Sequence, residues 1–193
     1  MTAQTEKFTG RTSWNEYETF SNAERRLDSE SLEARVALHP FAAGMKATHL
    51  ALLTSCAVAT HFRNRQVILR AGEFANCFYL IESGAVSLES SAALDDQVRL
   101  ETIGPVDLLG CSWMFPPYVW QFTARATAPV SALFFCGAIL RAHCEKDPTL
   151  GYEFLKRVSA AMMQRMQAAR QNMLALHSGR TALRATRSTA TDD

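Results

Sequence analysis

The sequence predicts an α+β fold, an antiparallel β-roll (a double-stranded β-helix of jelly-roll type) with flanking helices and a long C-terminal helix. Three observations predict it. Short apolar segments recur between residues 57 and 136 at the spacing of about 8 to 12 residues that marks an all-strand roll or barrel. Glycine, proline and polar clusters punctuate them. Beyond residue 137 the period changes from that of strands to that of a helix.

Residues 1–37 read as a polar N-terminal extension, partly disordered or helical, with Trp14, Tyr17, Phe20 and Leu27 as isolated apolar points. Segment 21–36 can form a helix but lacks a continuous apolar face, and the aromatics are candidates to dock on the domain or on a partner. The roll itself is expected over 38–137. Order begins near His39-Pro40-Phe41, where Pro40 restricts the chain direction, and Lys46 to Cys56 carries Leu50 and Leu53 at helical spacing. Strands follow at Ala57 to Phe62, Gln66 to Arg70, Cys77 to Glu82 and Ala85 to Ser90. The last two flank Ser83-Gly84, a tight hairpin signal. Val98 to Ile103 comes after a polar loop holding Asp95-Asp96. After an aromatic-rich insert, Gln121 to Ala128 and Val130 to Cys136 supply the last strands.

The C-terminal helices are expected over 138–176. Ala138 to Glu145 reads as a short helix, and Asp147-Pro148 as a cap followed by a first-turn proline. A helix from Thr149 to about Leu176 follows. Leu155, Ser159, Met162, Met166, Ala169 and Met173 alternate spacings of four and three, which is a heptad seam suited to pairing two copies. Tyr152, Phe154, Val158 and Ala161 lie mostly elsewhere on that helix, free to pack on the roll. Residues 177–193 read as a disordered Ser/Thr/Ala tail with Arg180, Arg184 and Arg187 spaced along it.

Composition narrows the function classes. Hydrophobic residues make up 48% of 193, enough for one core, and no apolar run approaches the roughly 20 residues of a membrane span. The N-terminus lacks the basic start and apolar stretch of a signal peptide, so a cytoplasmic location is expected. The five cysteines never pair as CxxC, which argues against a zinc site or a disulfide framework. A net charge of +1 argues against direct nucleic-acid binding. The five histidines lie apart, and no Ser-His-Asp or paired-carboxylate arrangement occurs, so neither catalytic residues nor metal ligands are expected.

Two local sequences resemble a known family. Val67-Ile68-Leu69-Arg70-Ala71-Gly72-Glu73 followed by Phe78-Tyr79-Leu80-Ile81-Glu82-Ser83-Gly84-Ala85-Val86 is similar to the first signature of the cyclic-nucleotide-binding domains, the sensory half of the catabolite activator and fumarate–nitrate regulators. Leu100-Glu101-Thr102-Ile103-Gly104-Pro105-Val106-Asp107-Leu108-Leu109-Gly110 resembles the segment that follows it. In such a roll, Gly72 and Gly84 would supply turns where a side chain would clash.

The resemblance implies a phosphate cassette directly after Gly110. In nucleotide-binding members a Gly-Glu opens a helical turn, the Glu holds the ribose hydroxyl, and a later Arg-Ser/Thr-Ala grips the cyclic phosphate. Here Cys111 stands at the Glu, Trp120 at the Arg and Gln121 at its Ser/Thr. A thiol cannot accept as a carboxylate does, and an indole cannot neutralise a phosphate. Cyclic nucleotide as a cofactor is therefore disfavoured. The candidate pocket residues are Gly110, Cys111, Ser112, Trp113, Trp120, Gln121, Phe122 and Arg125. Trp113, Phe115, Tyr118, Trp120 and Phe122 crowd five rings into this insert, and two readings stay open. The rings line an apolar pocket or lip that takes a flat ligand or closes on the C-terminal helix, or they fill the vacated cavity.

The function expected is a dimeric, stand-alone regulatory sensor whose nucleotide cassette is degenerate and whose small-molecule ligand is altered or absent. Its expected partners are a second copy of the chain and a further protein, with neither nucleic acid nor membrane. The alternative is a truncated cyclic-nucleotide-responsive transcriptional regulator acting through a partner. Only 17 residues follow Leu176, against the roughly 60 that a helix-turn-helix domain needs.

Overall fold

The structure, a computed structural model, describes residues 32–91 and 97–189. The aromatics Trp14, Tyr17 and Phe20, Leu27 and the Asp95-Asp96 loop lie outside the described residues. Helix α1 (32–38) leads into a 3-10 turn at Pro40–Ala42 and then α2 (Ala47–Ser55). Eight strands follow: β1 (Ala57–Phe62), β2 (Val67–Leu69), β3 (Cys77–Ser83), β4 (Val86–Ser91), β5 (Gln97–Ile103), β6 (Leu108–Leu109), β7 (Thr123–Ala126) and β8 (Val130–Cys136). Helices α3 (Gly137–Lys146) and α4 (Pro148–Thr189) complete the chain.

The strands form two four-stranded sheets in the orders β1-β8-β3-β6 and β2-β7-β4-β5, with every pairing antiparallel. This is the expected β-roll with flanking helices. The central strands of the first sheet are buried on both faces, which explains why β3 and β8 read as nearly continuous apolar runs. In β3, Phe78 and Leu80 face the helices, while Cys77, Tyr79 and Ile81 face the roll interior. In β8, Leu133 and Phe135 face outward and Val130 and Ala132 inward. The second sheet turns one apolar face inward and carries polar side chains on the other. Val86, Leu88, Ala124 and Ala126 point inward, and the alternation of β4 and β7 follows from that.

Several expectations need correction. Ser83-Gly84 does not close a hairpin: β3 and β4 belong to different sheets, and the chain turns a corner between them. Gly84 sits at φ +91°, and a Cβ there would come within 2.2 Å of the Pro129 carbonyl oxygen. At Gly72 the requirement is the positive φ of +83° alone, since a Cβ would meet nothing within 4 Å. The strand expected at 121–128 is shorter, because Tyr118 and Trp120 bond back to the 72–75 segment instead. Ala75 N–H donates to the Tyr118 carbonyl, and Trp120 N–H to that of Glu73. The two-residue β6 is a strand that the periodicity does not predict. The long helix does not stop at Leu176; it continues to Thr189, so the backbone carrying Arg180, Arg184 and Arg187 is helical.

The expected start of α4 holds. Pro148 is its first residue, and Asp147 Oδ1 accepts from Thr149 N–H (2.9 Å), Thr149 Oγ1–H (2.7 Å) and Leu150 N–H (3.3 Å). At 42 residues the helix is about 63 Å long. Its first turns bury Leu150, Phe154 and Val158 against the roll. Among the described residues no helix is long and apolar enough to cross a membrane.

Candidate functional site

The segment between β6 and β7 is where the family signature places its ligand cassette. It begins at Gly110, in the left-handed region at φ +97°, and enters a 3-10 turn, Cys111–Met114. The apolar side chains of that turn and of the loop after it part company. Trp113 is fully buried toward the helices. Its ring stacks on Phe78 (centroids 5.0 Å, 18°) and meets Phe154 of α4 edge-on (6.0 Å, 89°). Phe78 in turn stacks on Phe135 at 4.8 Å, and Met114 and Phe115 pack against the same cluster. This is an aromatic joint between roll and helix, worth stacking energy beyond its buried area.

Trp120 turns the other way. It is 6% exposed and packs inside the roll with Leu69, Tyr79, Leu109, Ala124 and Ala126. A Cβ on Gly110 would lie 3.0 Å from its Cη2, so the indole presses on the glycine that opens the turn. The backbone holds the ring in place: Gly72 N–H donates to the Trp120 carbonyl and Trp120 N–H to the Glu73 carbonyl, both at 2.9 Å.

The remaining candidates are scattered. Gln121 is exposed, and its amide donates to the Val119 carbonyl (3.2 Å); Phe122 is 43% exposed. Tyr118 lies under the Arg141 guanidinium at 4.5 Å, and Arg141 also donates to the Trp113 carbonyl. Arg125 alternates with the inward Ala124 and Ala126 and so points out of the roll. There its Nε donates to Glu89 Oε2 (3.2 Å) and Nη1 to the Arg65 carbonyl (3.2 Å). The eight expected pocket residues therefore do not converge on one cavity. The reason is strand parity together with the opposite burial of Trp113 and Trp120.

Sequence reasoning missed the residue that ties the cassette to α4. Arg165 donates to the Leu108 carbonyl through Nη2 and to the Cys111 sulfur through Nη1 (3.6 Å), and its Nε lies 3.8 Å from Glu101 Oε1. The signal was present: Phe154, Val158, Ala161 and Arg165 share one helical stripe at spacings of four, three and four. A second clasp lies nearby. Buried His49 of α2 bridges Glu153 Oε2 (2.7 Å) and Asp147 Oδ2 (3.2 Å), while Arg157 binds Glu153 and the Phe41 and Ala43 carbonyls. Burial pushes the Cys111 thiol above its ordinary pKa against the pull of Arg165, and raises Cys77 and Cys144 to about 11. These sulfurs are packing groups at neutral pH rather than nucleophiles. Among the described residues no three His, Cys, Asp or Glu side chains group as a metal site.

The expected dimer seam is exposed: Leu155 by 41%, Met162 by 45%, Met166 by 58% and Met173 by 66%, with Ser159 half-buried and Ala169 exposed. It lies one residue, about 100°, round the helix from the stripe that packs on the roll. Tyr152 differs from expectation. It is 63% exposed under Lys156 rather than packed on the roll.

Residues 59–147 match the family described as the cyclic nucleotide-binding domain. No curated protein matches the chain by sequence. Among solved structures, the chain is similar to a cyclic nucleotide-binding protein from Geobacter metallireducens GS-15, with 27% identity, a TM-score of 0.62, and coverage of 72% of this chain and 97% of that one. It also shares its fold with a cyclic nucleotide-binding domain from Methylobacillus flagellatus KT (15% identity, TM-score 0.65, 78% of this chain and 85% of that one). The fold recurs in the regulatory subunit of a cAMP-independent protein kinase A from Trypanosoma brucei (18%, TM-score 0.59), where it covers 76% of this chain and 52% of that one. The match to the cyclic nucleotide-binding domain family thus falls on the roll and the first helix after it, residues 59–147.

Proposed function

We infer that this chain is a non-catalytic regulatory module of that family whose nucleotide site is occupied by its own side chain, and which works as a dimer through α4. The observation that carries the reading is Trp120. It stands at the position the family resemblance assigns to the phosphate arginine, and its ring is packed within the roll against Gly110. Cys111, at the position of the ribose-binding glutamate, faces Arg165 of the helix instead of the interior. A cyclic nucleotide would have to expel the indole and would find no guanidinium there. The Trypanosoma brucei regulatory subunit, alike in fold, is that of a cAMP-independent protein kinase A.

The dimer reading is supported by apolar exposure on a helix that extends past the roll. Met162, Met163, Met166, Met173 and Leu174 are each 45–66% exposed, which for one element is a marker of an interaction face. The two faces of α4 would then do different work: one is locked to the cassette turn through Trp113 and Arg165, the other presents the seam. Calorimetric titration of the full chain with cAMP and with cGMP tests the proposal. No saturable heat is expected at ligand concentrations up to the millimolar range. Micromolar binding of either nucleotide would refute it.

A further inference from the structure

At the pole of the roll where β1 and β3 end and β8 begins, a cleft of about 1040 Å³ opens. Phe62, Pro129 and Val130 give it an apolar floor, and His61, Arg63 and Arg65 stand round it with no aspartate or glutamate in its lining. Arg63 and Arg65 are exposed, and among the described residues no carboxylate pairs with either side chain. The nearest acids are engaged elsewhere. Glu89 holds Arg125, and Glu82 takes a bidentate hydrogen bond from Arg35 (2.7 and 2.6 Å).

That last contact brings α1 to the edge of the cleft. Arg35 belongs to α1, and the Glu82 carboxylate it grips also accepts from Ser131 Oγ–H (3.0 Å). Ser131 and Ser83, the neighbour of Glu82, are both lining residues. The arm upstream contains Trp14-Asn15-Glu16-Tyr17-Glu18-Thr19-Phe20: three aromatic rings, two carboxylates and no basic side chain. Eleven residues, 21–31, separate it from Leu32, and an extended chain of that length reaches up to about 40 Å.

We propose that the acidic aromatic segment Trp14–Phe20 seats in this cleft within the same chain, its rings on Phe62, Pro129 and Val130 and its two glutamates opposite Arg63 and Arg65. Aromatic anchors on an apolar floor supply the contact, and opposite charges at the rim set its orientation. This goes beyond the regulatory reading and does not depend on it.

The test uses the full chain. Acrylamide quenching of Trp14 is obtained as the difference between the wild type and a Trp14→Phe variant. Since Trp113 and Trp120 are buried, the difference isolates the arm. The variants R63E/R65E and E16R/E18R should each raise the quenching constant of Trp14 roughly two- to five-fold, as expected from losing two exposed charge pairs. Combining the four substitutions should restore protection. Trp14 as accessible in the wild type as in either variant would overturn the proposal, as would a combined variant no better protected than the singles. Protection that grows with protein concentration would place a second copy's arm in the cleft and would overturn it equally.

Discussion

Trp113 and Trp120 come from one aromatic insert and end on opposite sides of the same sheet system. Trp113 builds the joint between roll and α4, in contact with rings from β3 and α4, and ties the insert to the helices. Trp120 belongs to the roll interior and touches the turn that opens the cassette. The contrast teaches that one short insert can serve two cores at once: one ring couples the roll to the helices, and the other packs into the roll itself. On the proposed reading, the second ring takes the volume that a ligand would otherwise receive.

The comparison is broken most severely at the joint. Trp113→Ala should cost ~3–5 kcal/mol in urea unfolding, since it removes a fully buried ring from a stack that cannot close around the gap. A loss below about 1 kcal/mol would mean that the joint is not close-packed. On the other face of α4 the expected effect is on assembly. Met162→Glu with Met166→Glu should convert a dimer to a monomer by light scattering while leaving the unfolding midpoint of the roll nearly unchanged, both positions being exposed. A wild type that is already monomeric would remove the seam from the account.

Smaller effects separate the two sides further. Arg165→Ala leaves the Leu108 carbonyl without that donor and should cost ~1–3 kcal/mol, with faster amide exchange confined to residues 108–115. Exchange quickening equally in β7 would contradict the local coupling. The smallest effect is the acid response of α1. The Arg35 hydrogen bonds hold the Glu82 carboxyl below its ordinary 4.5. A lowered folded-state value means that this contribution is complete above pH 4.5 and is lost as the pH falls through the folded value. Protection factors in 32–38, with the intrinsic pH dependence of exchange divided out, should therefore fall as the pH drops below 4.5, stay flat between pH 6 and 8, and lose their acid step in Arg35→Ala.

Much of the roll was legible because its periods are local. The alternation of Val86, Ser87, Leu88 and Glu89 states which face is apolar, and the apolar run of β3 states that both its faces are covered. What is not local was lost. Ser83-Gly84 reads as a hairpin because the partner of β3 is β8, and no turn signal records that. In the site, the substitutions at Cys111 and Trp120 were visible by position, yet the destination of each ring was not. A tryptophan announces burial without saying on which side of the sheet. Arg125, a pocket candidate by position, alternates with Ala124 and Ala126, which face inward, and strand parity sends its guanidinium out to Glu89. Arg165 escaped notice because a charge in an apolar stripe is usually solvated, and here it reaches a carbonyl in the cassette.

The central claim is that an indole fills the roll where a nucleotide would otherwise lie, and replacing it tests this most directly. Thermal unfolding of Trp120→Ala should show a loss of ~3–5 kcal/mol relative to the wild type. Free indole added to the variant should raise its midpoint, leaving the wild type unmoved, because only the variant has a ring-shaped space to fill. A variant as stable as the wild type and indifferent to indole would place that ring outside the roll and contradict the account.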